Sequence, residues 1–206
     1  MAQNTRGIHA VLSLPMVYTL FGTTVGALAA RKKIIRQYVQ PNEGDRILDI
    51  GCGPGDIVGF LSPRVKYVGF DASPGYIQTA KRRFGHRAQF HCDRVGVTVP
   101  VERGSFDVVL ALGILHHLDD GEALDLFRLS CQALKPGGRL YTLDGCYVPD
   151  QSRWVRWFLD HDRGKNIRTQ EACLSLAKQV FSTVLAQIRE DIFRIPYTAL
   201  ILECKS

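Results

Sequence analysis

The sequence has 206 residues, the length of one ordinary domain. With 46% hydrophobic and 22% charged residues and a mean hydropathy near zero, it reads as a globule, which excludes a disordered chain, a collagen-like fibre and a small disulfide scaffold. Twenty-six Lys and Arg against twenty Asp and Glu leave a net charge of +6, a modest tilt toward an acidic partner. Cysteines stand at 52, 92, 131, 146, 173 and 204 with no C-x-x-C pair or zinc spacing, so the expectation is reduced thiols in a cytoplasmic protein without a metal.

From His9 to Ala30 there is no charged residue, and Arg31, Lys32 and Lys33 follow at once. A membrane span would read this way, and Ala27-Leu28-Ala29 has the small-residue pattern of a signal-peptide cleavage site. Pro15, Gly22, Thr23, Thr24 and Gly26 interrupt the run, however, and favour two short helices covering a pocket. The second is expected from about Thr23 to Tyr38, ending before Pro41. The basic cluster after the run leaves a peripheral contact with anionic lipid as a second reading.

Beyond Pro41, apolar runs at Arg46–Ile50, Lys66–Phe70, Ala88–Cys92, Phe106–Leu112 and Arg139–Leu143 predict five strands. A helix is expected directly after Gly55, others at Pro74–Phe84 and from Asp120 to Leu134, the last with a capping box from Asp119 and Glu122. Strand and helix alternate, which implies parallel strands with ligands bound beyond their carboxyl ends. A charged, Trp-containing stretch runs to Arg168, a helix is expected at Gln170–Phe181, and Thr183–Arg189 with Tyr197–Cys204 reads as a closing hairpin. One domain covers 1–206, divided into an N-terminal helical lid (1–40), a cofactor-binding core (41–145) and a substrate-facing segment with the hairpin (146–206).

The turn Gly51-Cys52-Gly53-Pro54-Gly55 follows the first strand. Asp56 stands where a dinucleotide fingerprint needs its third glycine, and no Gly-Lys-Ser/Thr follows for a nucleoside triphosphate. Asp49 and Asp56 make the turn acidic, which suits a ligand with positive charge better than a pyrophosphate.

Ile47-Leu48-Asp49-Ile50-Gly51-Cys52-Gly53-Pro54-Gly55 resembles the first motif of class I S-adenosylmethionine-dependent methyltransferases. Val68-Gly69-Phe70-Asp71, His91-Cys92-Asp93-Arg94, Phe106 to Leu118 and Leu134 to Leu140 resemble the family's later motifs in the right order. The resemblance implies a Rossmann-like, doubly wound α/β fold: a mostly parallel seven-stranded sheet with an antiparallel closing strand. It also implies S-adenosylmethionine as cofactor. Gly51, Cys52 and Gly53 would hold its methionine end, Asp49 would secure the loop or the ammonium group, and Asp71 with Ala72 would take the ribose. Asp93 and Arg94 would flank the adenine, with Leu112 at the end of the fourth strand.

His116 and His117 follow that strand, where donor and acceptor should meet, and are the candidate bases. Adjacent side chains of an extended exit diverge, so one is expected to reach the acceptor and the other to bond a backbone carbonyl. Tyr147 and Arg163 are candidates for touching substrate, and Asp144 for orienting a base.

The function expected is methyl transfer to an oxygen or nitrogen of a small-molecule acceptor. The alternatives are a membrane-associated lipid or quinone methyltransferase and a cofactor-binding module without catalysis. Nucleic acid is disfavoured as substrate, because the fourth strand is followed by neither Asn/Asp-Pro-Pro-Tyr nor Pro-Cys.

Overall fold

The computed structural model describes residues 26–93, 101–162 and 164–205. The first part of the expected lid, and with it the start of the helix expected from Thr23, lies outside them. Helix α1 (Ala27–Ile34) runs into a single wider turn (Ile35–Val39) and ends at Gln40, just ahead of Pro41. It buries Ala30, Ile34, Ile35 and Val39 against the sheet.

Strand β1 (Arg46–Ile50) leads through the glycine turn into a short 3₁₀ turn at Asp56–Phe60, not the expected α-helix. Only fifteen residues separate Ile50 from the next strand, and Gly59 with Pro63 ends the turn early. Then come β2 (Lys66–Asp71), α2 (Pro74–Phe84), β3 (Gln89–Cys92), β4 (Phe106–Leu112) and a 3₁₀ turn at Leu115–His117. Helix α3 (Asp120–Ala133) starts on the expected capping box: Glu122 N–H donates to Asp119 at 2.8 Å, and Asp119 N–H donates to Glu122 at 3.2 Å. Such a cap is worth ~1 kcal/mol.

Strand β5 (Leu134–Tyr147) is far longer than expected at both ends. At its start Leu134 pairs with Phe106 and Arg139 with Val108, so the Lys135-Pro136-Gly137-Gly138 turn is looped out as a bulge. Helix α4 (Arg153–Asp160) and the two-residue β6 (Arg168–Thr169) occupy the Trp-containing stretch, followed by α5 (Gln170–Ala177), β7 (Thr183–Arg189) and β8 (Ala199–Lys205).

The sheet order is β3-β2-β1-β4-β5-β8-β7, with β6 beside β5. Strands β1 to β5 are parallel, and β8 runs antiparallel to both β5 and β7. The order reverses between β1 and β4, which places the ligand crevice beyond Ile50 and Leu112. Two apolar clusters, one around Ile47, Leu110 and Tyr141 and one around Leu48, Val109 and Leu140, cover the two faces. Among the described residues no helix is long and apolar enough to cross a membrane.

Two of the three basic residues after the apolar run are engaged within the protein: Arg31 pairs with Asp56 at 3.4 Å, and Lys33 pairs with Asp191.

Candidate active site

The carboxyl ends of β1, β2 and β4 meet at the glycine turn. Gly51 and Cys52 both donate their N–H groups to the carbonyl of Phe70, at 2.8 and 3.0 Å. Gly53 N–H donates to Asp71 Oδ2 at 2.9 Å and Gly55 N–H to the Cys52 carbonyl at 3.1 Å, while Pro54 has none. Every backbone donor from Gly51 to Gly55 is therefore engaged, three by the end of β2 and one within the turn. The nest of free N–H groups that grips a phosphate is missing here. What the turn offers a ligand is acceptor oxygens and carboxylates.

The glycines are needed for this shape, since Gly51, Gly53 and Gly55 all have positive φ, at 80°, 55° and 75°. A side chain built on Gly53 would meet no described atom within 4 Å, whereas one on Gly51 would come within 3.0 Å of Ile114. Space for a ligand therefore opens over Gly53.

Asp49 lies under the turn, 1% exposed, and accepts the Tyr67 hydroxyl. Burial pushes its carboxyl up to about 6, in spite of that hydrogen bond and the nearby Arg31. The native protein thus holds a proton that the unfolded chain has already released between pH ~4 and 6, and stability falls as pH rises through that window. Burying the ionised form costs about 3 kcal/mol by pH 7. Asp49→Asn is expected to raise the urea midpoint at pH 7 to 8 and to leave it nearly unchanged at pH 4. An equal gain at both pH values would refute the linkage.

Asp71 ends β2 with Oδ2 on Gly53 N–H and Oδ1 on Ser73 N–H at 2.8 Å. Burial raises its pKa, partly offset by those two donors. Ala72 is exposed beside it. Asp93 stands just past β3, its N–H on the Asp71 carbonyl at 3.1 Å. Leu112 is buried at the end of β4, and Cys52 is buried with its thiol pushed far up by desolvation, so it carries no chemistry. Asp56, expected to add to the acidity of the turn, is instead held by Arg31 and by Arg83 at 2.6 Å. The acidic character comes from Asp49 and Asp71. Arg94 and Arg163 lie outside the described residues.

The two histidines depart from the expected extended exit. The 3₁₀ turn brings their rings together, with centroids 4.1 Å apart. His116 is 8% exposed, and its Nδ1 is 2.7 Å from Asp144 Oδ1, which also accepts the His116 N–H at 3.2 Å. Its Nε2 faces Asp162 Oδ1 at 3.6 Å, and its carbonyl accepts Asn166 N–H at 2.9 Å. So the bonded partner is a carboxylate in place of the expected backbone carbonyl. Burial pulls the His116 pKa down, but Asp144 and Asp162 outweigh it and the net direction is up. Burial raises Asp144, whose Oδ2 finds no partner among the described residues, and His116 offsets this only in part.

Sequence reasoning placed Asp162 and Arg168 in the substrate-facing stretch and Tyr197 in the hairpin, but gave none of them a role at the histidines. Tyr197 donates to Asp162 at 2.7 Å, and Arg168 holds the histidine turn by its carbonyls. Their partners are remote in sequence, so no local pattern announces them. Tyr147 donates to Asp160 at 2.8 Å and helps line a cavity of about 300 Å³ with Leu159, Asp162, Gly164, Lys165 and Ile167.

Residues 47–138 match a family described as methyltransferase domain. That match spans a little under half of the chain and agrees with the resemblance to the class I S-adenosylmethionine-dependent methyltransferases. A 27-O-demethylrifamycin SV methyltransferase from Amycolatopsis mediterranei (strain S699) is 37% identical over 114 residues, 52% of this chain and 40% of that one. A phosphoethanolamine N-methyltransferase 2 from Haemonchus contortus, solved with phosphomonomethylethanolamine and S-adenosylhomocysteine, superposes with a TM-score of 0.76 at 16% identity, over 96% of this chain and 58% of that one. A geranyl diphosphate C-methyltransferase from Streptomyces coelicolor A3(2), solved with Mg2+, geranyl diphosphate and S-adenosylhomocysteine, gives 0.66 at 18% identity, over 86% of this chain and 77% of that one. The two structural likenesses bear on the fold. The chain spans less than half the length of the curated relatives it matches first.

Proposed function

We propose that the chain transfers the methyl group of S-adenosylmethionine to an oxygen or nitrogen atom of a small-molecule acceptor. The observation that carries this reading is the turn itself, whose donors are all engaged while two carboxylates remain beneath an open space. Such a site repels a pyrophosphate and suits a ligand with an ammonium and a sulfonium. When bound, that cofactor supplies a methyl group on a positively charged sulfur that departs as a neutral thioether.

In this reading Asp71 accepts the ribose hydroxyls on the lone pairs left by Gly53 and Ser73, since an ionised carboxylate has about four acceptor sites. Asp49 and the carbonyls of Gly51 and Gly53 hold the methionine end, with Cys52, Ala72 and Leu112 forming the walls and Asp93 the adenine end. His116 has both ring nitrogens facing carboxylates, so it positions the turn. His117, whose ring lies against that of His116, takes the acceptor's proton in this reading, and Tyr147 contacts the acceptor.

Calorimetry should show heat with S-adenosylmethionine and S-adenosylhomocysteine and none with a nicotinamide dinucleotide; the reverse pattern sinks the reading. Asp71→Asn, with one acceptor oxygen in place of two, is expected to weaken S-adenosylhomocysteine at least about tenfold. His117→Asn should lower turnover on an acceptor panel by ~10²-fold with unchanged cofactor affinity.

A further inference from the structure

Helix α4 carries both tryptophans of the chain, and both face solvent: Trp154 is 74% and Trp157 50% exposed. Large indoles are seldom left this open without a partner. The inner side of the helix is already satisfied, with Val155 and Leu159, one turn apart, buried against the sheet. On the outer side Arg153 and Arg156 are exposed among the tryptophans, and the helix's one acid, Asp160 at its last residue, is engaged by the Tyr147 hydroxyl at 2.8 Å. Arg156 lies over the Tyr147 ring at 5.1 Å, and Trp157 stacks on His161 at 4.4 Å, so the surface is one arginine-aromatic layer.

We propose that this face of α4 docks on an anionic lipid bilayer at its headgroup level. Tryptophan is the side chain whose apolar ring and single N–H suit the boundary between acyl chains and headgroups. Arginine pairs with lipid phosphate through its planar fork, and a basic aromatic helix face is the usual pattern of an interfacial segment. A second copy of the chain fits less well, because a two-fold contact would set Arg153 and Arg156 against themselves.

The position in the fold gives the docking a use. Leu159 and Asp160 belong to α4 and also line the 300 Å³ cavity, together with Lys165. Contact with lipid therefore sets the cavity beside the bilayer surface, where amphiphilic compounds are concentrated. Lipid docking itself stands apart from methyl transfer, and its test needs no turnover.

Because Trp154 and Trp157 are the chain's two tryptophans, indole emission reads this helix alone. Titrating the full chain with vesicles of equal phosphatidylglycerol and phosphatidylcholine should shift the emission to the blue, and brominated lipid should quench it. Phosphatidylcholine vesicles alone should do neither. Trp154→Ala with Trp157→Ala, both at exposed positions, is expected to sediment with the anionic vesicles at least about tenfold less. Arg153→Gln with Arg156→Gln should show the same loss while keeping the tryptophan signal.

Unchanged emission with anionic vesicles would overturn the proposal, as would variants that sediment like the parent. So would emission already blue-shifted without lipid: concentration dependence would assign the face to a second copy, and its absence to another part of this chain.

Discussion

Gly164→Ala is expected to cost at least about 3 kcal/mol of stability and to abolish most activity, although it adds a single methyl group. That methyl would overlap His116 Cδ2 and come within 2.6 Å of the His116 carbonyl oxygen and 2.7 Å of Cγ. An ordinary small-to-large change in a tight site costs ~1–3 kcal/mol, because neighbours retreat by a few tenths of an ångström. Here His116 has little room to retreat. Its ring and its N–H are fixed by Asp144 and its carbonyl by Asn166 N–H. Urea unfolding of Gly164→Ala measures the loss, and a midpoint within experimental error of the parent's would show that the 164 segment is not packed as described.

Arg168→Met is the second large effect, expected at about 3–5 kcal/mol. The Arg168 side chain is 9% exposed, and its guanidinium donates to four partners: Asp120 at 2.8 Å, the Leu118 carbonyl at 2.7 Å, the Leu115 carbonyl at 3.0 Å and the Asn166 carbonyl at 3.2 Å. Methionine fills similar volume but removes the Arg168 donors from the Leu118 and Asn166 carbonyls, while the Leu115 carbonyl keeps the Leu118 N–H at 3.1 Å, and each orphaned acceptor costs ~1–3 kcal/mol. Lysine cannot substitute, since one ammonium does not span a fork of this width. Asp120→Asn should cost under about 1 kcal/mol, because that carboxylate is 78% exposed. Comparing the urea midpoints of Arg168→Met, Arg168→Lys and Asp120→Asn separates the carbonyl clamp from the ion pair; equal losses from all three would contradict it.

Much of the fold was legible in the sequence because its signals are local. β1, β4, α2 and β7 fall on the residues that their apolar patterns and caps mark, and the hairpin's second strand starts two residues later than expected. The alternation of strand and helix led to the parallel sheet and its closing antiparallel strand. Helix α4 was not legible, since only Val155 and Leu159 mark its inner face and the exposed tryptophans blur the period. At the candidate site, the spacing after a strand located the glycine turn and the position of Asp71 at the end of β2. The carboxylates on His116 did not, because Asp144 and Asp162 reach it across the fold. The direction of the loop's N–H groups was also hidden: spacing shows that glycines are present, but only the register with β2 shows that Phe70 receives their bonds.

That inward bonding has a consequence for the working cycle. A phosphate-gripping loop takes its shape from its ligand and loosens when the ligand leaves. This one is fastened to Phe70 and Asp71 by its own backbone, so discharging a used nucleoside and admitting a fresh one would require no local refolding at the sheet edge. The pace of exchange would then be governed by whatever covers the crevice from above.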